Sequence, residues 1–385
     1  MRHSLKGMRI LISGAGVAGP ALACAAADRG ADVTVVEIAT ELRRGGFAVD
    51  FRGPTHMAVL RRLGILDALE TVRTGGSDMV AVDAGDTEIF RLPASFTGGE
   101  LEVPRRELSR LLVAQAGDRV EYRFGDSITA LGQDPDGVTV TLATGGRRRF
   151  DLVVGADGVH SAVRRLAFGP ESRYVRGLGH HIAGWDLPGT MGVPAGEARH
   201  YAVPGRMASV GDATAMLVFR TGAATGVGWR DTGAQRRLIT GTYRDLGWHV
   251  PALLDSLADA PELYFDEISR VRVPSWHTGR VVLLGDAAWG VTLGGMGVGT
   301  GLVGAHVLAG ELAQARPAQA LQAYEQRMRS YAAVWQRGAS PGAFLAPATR
   351  LGLWSRNTAL RNPLIRRSML TGTNSLATTT LPEYG

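Results

Sequence analysis

Short apolar runs that end in glycine recur three times along the chain. Ile10–Ser13 leads into "GAGVAG", an alanine-rich stretch follows to about Arg29, and "DVTVVE" closes on Glu37. "DLVVG" passes into "ADG" and a short helical stretch, and "GRVVLLG" passes into Asp286. Apolar runs bounded by turn residues predict strands, and strands alternating with helical stretches predict an α/β fold. Two other regions are patterned differently. From about Met79 to Glu102, and through much of Tyr174 to Val273, short segments alternate apolar and polar residues, as in "HHIAGWDL", "RMASVG", "ATAMLVFR" and "LYFDEISRVRV". They predict the strands of one mixed sheet. "DTGAQRRLITGTYRDLG" and "VPALLDSLADA" read as helices, and from Gly297 the chain turns helical to about Leu370. The threonine-rich end "TGTNSLATTTLPEYG" predicts an irregular tail. The expected organisation is one domain from 1–75, 100–172 and 275–385, with 76–99 and 173–274 inserted as a second.

The first glycine cluster carries chemistry. Gly14-x-Gly16-x-x-Gly19 lies between a strand and a helix, and Glu37 ends the next strand about 20 residues on, which is the dinucleotide-binding pattern. Gly14 permits the tight turn, Gly16 clears space for a pyrophosphate, and Gly19 lets the helix pack on the strand. The helix N-terminus, with Ala18 in its first turn, offers N–H groups to the phosphates. Glu37 accepts from ribose hydroxyls, which favours an adenosine without a 2′-phosphate. The alternative is an ordinary glycine-rich turn. In an open α/β sheet, ligands bind beyond the carboxyl ends of the strands. The loops after Gly155 and Gly285 are therefore expected to line the same long cofactor.

Composition narrows the function classes. With 385 residues and 45% hydrophobic residues, the chain can bury a large core, and it contains no apolar run long enough to span a membrane. "MRHSLKG" is too short and polar for a signal peptide. Cys24 is the only cysteine, so no intrachain disulfide forms, and a cytoplasmic setting is expected. The net charge is +6, but the basic residues are scattered among acids. Arg147-Arg148-Arg149 is the longest basic run and is expected in a solvated hairpin turn, so no nucleic-acid partner is expected. Dispersed histidines give no metal-ligand spacing.

Four motifs in this order, "GAGVAG" with Glu37, "VPRRELSRLL", "DLVVGADGVHSAVR" and "GRVVLLGDAA", resemble the FAD-dependent aromatic hydroxylases. These are the group A flavoprotein monooxygenases of the p-hydroxybenzoate hydroxylase fold. The resemblance covers nearly the whole chain and is greatest to antibiotic-tailoring and tetracycline-inactivating members. It implies a Rossmann-like FAD-binding domain of the GR2 type, an inserted mixed-sheet substrate domain and C-terminal helices. It implies that Arg105 reaches the ribityl–phosphate region, that Asp157 contacts FAD and helps position the nicotinamide, and that Gly285 and Asp286 meet a ribityl hydroxyl. The stretch "LRRGGFAVDFRG", with Arg44, occupies the place of the crossing loop near the isoalloxazine. Trp289, Gly295, Met296, Gly297 and Val298 fall in the loop that passes the ring. In that loop Trp289 stands where the family has histidine or tyrosine, and Leu293 is nearest to the usual proline. For Trp289 the alternative is a packing residue, for Asp157 a turn-stabilising one, and for Arg105 a solvated first helical turn.

The implied reaction uses NADPH or NADH as a transient co-substrate and O2. A C4a-hydroperoxyflavin then hydroxylates an aromatic or polyketide-like small molecule. No side chain stands out as a general base, which such an enzyme tolerates because the cofactor carries the chemistry. Trp185, Tyr201, Met216 and Phe219 are candidates to line the substrate pocket, Arg206 to meet an acidic or phenolate group, and His180, His181 and His200 to act as bases. A monomer or homodimer is expected. The alternatives are a halogenase or reductase on the same fold, or a flavin-binding partner without turnover.

Overall fold

The computed structural model describes residues 5–42, 45–97, 99–211, 213–221, 225–228, 231–293, 297–336, 340–368 and 380–384. At its centre is a six-stranded sheet in the order His277–Thr278, Val281–Leu283, Leu152–Gly155, Arg9–Ser13, Asp32–Glu37 and Val120–Phe124. All neighbours are parallel except the first pair. Leu152–Gly155 and Val281–Leu283 are buried at every position, because a parallel sheet is covered on both faces. The helix Ala18–Ala27 packs beside Gly297–Leu312. Its alanines favour helix and keep its surface flat. Gly30, at φ +88°, turns the chain back toward the next strand.

An antiparallel meander of Ile128–Asp134, Gly137–Leu142 and Arg147–Phe150 joins this unit. The three arginines expected in a turn are thus in a strand: Arg148 pairs with Glu121 and Arg149 with Asp134. The second large sheet has the order Tyr264–Val271, Val175–Asp186, Thr214–Arg220, Arg206–Gly211, Glu197–Val203, Asp78–Val82 and Glu88–Leu92. The helices Thr232–Tyr243 and Val250–Asp259 cover one face of it. Thr232–Tyr243 starts at Asp231, whose side chain accepts from the Ala234 N–H at 2.8 Å, as an N-cap does. The two-stranded ribbon of Ala48–Phe51 and Leu101–Pro104 lies where the chain enters and leaves the first strands of this sheet. No helix of the described residues is long and apolar enough to cross a membrane.

Candidate functional site

The first glycine loop is built for close approach. Gly14 takes a left-handed φ of +108°, and a Cβ there would lie 2.5 Å from the Ala156 carbonyl oxygen. A Cβ on Gly19 would lie 1.9 Å from the Gly14 carbonyl oxygen, so only glycine lets the helix start so close to the strand. Gly16 differs from both. Its open side faces the Arg105 guanidinium, 3.7 Å from where a Cβ would stand. Val17 precedes the helix without a side-chain cap, and the first turn holds no acidic residue. The N–H groups of Gly16 and Val17 find no acceptor among the described residues. A helix start with free N–H groups attracts a phosphate, and Arg105 supplies the fixed charge.

Glu37 shapes the same loop. Its Oε2 accepts from the Ala15 N–H at 2.8 Å and its Oε1 from the Ala39 N–H at 3.0 Å. Each oxygen keeps a lone pair for a ribose hydroxyl. Asp157 is used differently from the expectation. Its carboxylate accepts from Ser13 Oγ at 3.2 Å, from the N–H groups of Ala162 and Val163 at 2.8 and 3.1 Å, and from Ser161 Oγ. The side chain is occupied in holding "GADG" to the next helix, so it fixes the loop and does not reach out to a ligand.

Asp286 is the opposite case. It opens the helical turn Asp286–Trp289 after Gly285, which has a φ of +64°. It is half-buried, and its carboxylate accepts no hydrogen bond from a described residue. Burial pushes its pKa up, the Arg105 charge pulls it down, and Asp266 pushes it up further. A half-buried carboxylate near a cation and a free helix start is an arrangement that suits a ligand carrying both a phosphate and a hydroxyl.

Arg44, Gly295 and Met296 lie outside the described residues. Gly297 begins its helix with a built Cβ 3.4 Å from Asp286 Oδ1. The later glycines of this helix serve packing. A Cβ on Gly299 would lie 2.3 Å from the His56 ring, on Gly301 3.3 Å from the Ala18 Cβ, on Gly304 2.9 Å from Leu284, and on Gly310 2.2 Å from the Tyr384 ring. Ala18 also faces Gly285, and Val298 packs half-buried against the main core.

The Trp289 side chain corrects the expectation of a ring beside the flavin. It is buried against Trp276, with ring centroids 4.5 Å apart, and near Tyr324, and its Nε1 donates to Thr300 Oγ1 at 3.3 Å. One helical turn after Asp286 carries it into the core. Leu293 has a φ of +56°, which proline cannot adopt.

The seven-stranded sheet sorts the proposed substrate residues by face. Residues packed under Thr232–Tyr243 and Val250–Asp259 include Trp185 and Phe219. Trp185 Nε1 donates to Ser256 Oγ at 3.0 Å. Tyr201, next to the inward Ala202 and paired with the outer Ala208, turns to Trp248 on the outer side, with centroids 5.7 Å apart. Arg206 pairs with Asp245 at 2.5 Å and donates to the Thr242 carbonyl. These four are therefore withdrawn as pocket residues, since helices or a surface ion pair occupy their side chains. His181 faces outward too, stacked on Phe219. Met216 is on the inner face, packed with Ile182, Phe47, Tyr264 and Leu293. His180 lies beneath Gly342, its Nε2 3.3 Å from the Ala346 carbonyl oxygen. Phe47 and Tyr264 were missed. Their signal was an aromatic after the glycine pair of the crossing loop and one at the start of a strand.

The comparisons with known proteins agree with this geometry. Residues 8–179 match the family described as FAD binding domain. An uncharacterized protein of Mycobacterium tuberculosis (strain ATCC 25618 / H37Rv) is 40% identical over 316 residues, 79% of this chain and 84% of its own length. A flavin-dependent monooxygenase of Legionella longbeachae serogroup 1 (strain NSW150) is 32% identical over 340 residues, 85% of this chain and 86% of its own length. The crystal structure of tetracycline destructase Tet(55) superposes with a TM-score of 0.82 at 28% identity, over 99% of this chain and 100% of that one. Similarity of this extent, over both sheets and not only the dinucleotide loop, shows that the chain belongs to the flavin-dependent monooxygenases, with FAD as its cofactor.

Proposed function

We propose that the enzyme uses O2 and reducing equivalents from NADPH or NADH to hydroxylate a flat aromatic or polyketide-like small molecule. The observation that carries this reading is the half-buried Asp286 carboxylate, unpartnered among the described residues, which lies near Arg105 and near Asp266 of the seven-stranded sheet. The N–H groups of Gly16 and Val17 and the Arg105 guanidinium hold the pyrophosphate, and Asp286 accepts from a ribityl hydroxyl. Bound FAD supplies the transfer of electrons from the nicotinamide to O2 and of one oxygen atom to the substrate. The first-turn N–H groups of Gly297–Leu312 stabilise negative charge on a reduced ring. Phe47, Met216, Tyr264 and Leu293 form an apolar wall that keeps water from the reacting centre. The similarity to a tetracycline destructase supports a substrate of fused rings.

The test is NADPH or NADH oxidation by the FAD-loaded protein, with and without a panel of phenols and polyketides that includes tetracycline. The expected result is substrate-stimulated oxidation and a product carrying one oxygen atom from isotope-labelled O2. Oxidation that yields only H2O2 with every compound, or a product without the label, overturns the proposal.

A further inference from the structure

The register of the seven-stranded sheet sets five residues side by side across its inner face. His200 pairs with Ser209, Ser209 with Met216, Met216 with Gly184, and Gly184 with Tyr264. The chemistry changes along this row. At one end the wall is flat and apolar. Phe47 lies over bare Gly184, where a Cβ would come within 2.3 Å of its ring, and meets Tyr264 edge-on with centroids 5.7 Å apart. At the other end His200 and Ser209 are polar and buried, at 8% and 4% exposure. His200 Nδ1 has no hydrogen-bond partner, and the Ser209 hydroxyl has none among the described residues. Buried polar side chains are nearly always satisfied. His200 Nδ1 is a buried atom left unsatisfied, and the Ser209 hydroxyl beside it, on the face that carries Met216 and Gly184, is also without a partner among the described residues; together they point to a ligand that satisfies them.

We infer that His200 and Ser209 are the polar anchor of the substrate site and bind a hydroxyl group at one end of an elongated, flat substrate. The rings of that substrate lie along Met216 and Gly184 toward Phe47 and Tyr264. At the usual strand spacing of about 4.8 Å, His200 stands about 14 Å from Gly184, over which Phe47 lies, and this length suits a molecule of several rings. Burial, and then the nearby Arg356 charge, hold the His200 pKa down to about 3. The imidazole is neutral, and one ring nitrogen is an acceptor. It therefore takes a hydrogen bond from a neutral phenol or enol, and the adjacent Arg356 disfavours an ammonium group. The inference rests on the proposed function and specifies what its substrate carries.

The test compares 2-naphthol with 2-methoxynaphthalene, binding to the FAD-loaded protein at neutral pH by calorimetry. The wild-type protein is expected to bind the naphthol about ten- to hundredfold more tightly, the range for a buried hydrogen bond made or left unmade. His200→Phe should abolish that preference, and His200→Asn, which keeps an acceptor and covers the case of a misfolded phenylalanine variant, should retain part of it. Ser209→Ala should weaken the naphthol and spare the ether. Equal binding of both probes by the wild type, or an unchanged preference in both His200 variants, overturns the anchor while leaving the aromatic reading intact. If neither probe binds any of the proteins, the aromatic reading and the anchor fall together.

Discussion

Replacing Asp286 by alanine should act on the loaded enzyme and hardly at all on the apoprotein. The carboxylate is half-buried, its pKa is raised by burial, and no described residue donates to it. Its oxygens are not among the fully buried, unsatisfied atoms, so water solvates them in the flavin-free protein and their removal should shift its stability by less than about 0.5 kcal/mol. For 385 residues, an unfolding entropy of about 2 cal/mol/K per residue turns this into a change in Tm below about 1 °C. Binding loses a hydrogen bond to a charged group, worth about 1.5–3 kcal/mol, which is a rise in the FAD Kd of roughly 10- to 150-fold. Thermal melts of flavin-free protein and titration of flavin fluorescence measure the two numbers separately. A lower apoprotein Tm together with an unchanged Kd would refute the reasoning. In that case Asp286 holds its own turn and faces no ligand.

The remaining expectations concern the same neighbourhood. Gly297→Val sets a branched side chain 3.4 Å or less from Asp286 Oδ1 and should cost about a hundredfold in product formation, as for a misplacement of about 1 Å, while Gly301→Val should lower stability by about 1–3 kcal/mol through overpacking on Ala18; stopped-flow reduction and melts separate the two. Trp289→Ala should cost about 3–5 kcal/mol as a core truncation and leave turnover per folded, FAD-loaded molecule nearly unchanged, as denaturant titration and active-site-normalised kinetics would show. His160 bridges Glu171 and Asp266 at 3.0 and 3.2 Å, and the hydrogen bonds its ring donates to Asp266 and Glu171 raise its pKa to about 10. Because the folded value lies above the unfolded one, its stabilisation is complete below about pH 6.5 and is lost as the pH rises toward 10; the Tm of His160→Gln should therefore converge with that of the wild type across this range, and parallel curves would show that the bridge is inert.

The cofactor half was legible in the sequence because its information is local. Gly14, Gly16, Gly19 and Glu37 sit at fixed spacings on consecutive elements, and each spacing has a steric or hydrogen-bonding reason. The same locality misled for Asp157, since an aspartate before a helix can either face a ligand or cap the helix, and only the positions of Ser13 and Ser161 decide. Trp289 was misread because its partners, Trp276 and Tyr324, come from elements distant in sequence. The substrate face was hardest. Alternation tells which residues share a face but not which face looks inward, and helices that pack on one side settle that. One error was nevertheless visible beforehand. Met216 and Phe219 are three apart on a strand, so they cannot line the same wall.

The glycines of the helix Gly297–Leu312 divide the chain by how freely it can change. The notches at Gly299, Gly301 and Gly310 are matched to His56, Ala18 and Tyr384, and that at Gly304 to Leu284 and Trp289. A substitution on either side of such a match needs a compensating one far away in sequence, so single steps there are blocked. On the inner face of the seven-stranded sheet Gly184 is matched to Phe47 in the same way, but Ser209 and His200 farther along the row make no side-chain hydrogen bond to a described residue. A lineage of these enzymes can therefore explore new substrates by isolated changes on one sheet, while the helix beside the cofactor stays locked. Directed evolution that randomises the sheet row and leaves the helix alone follows the route the architecture leaves open.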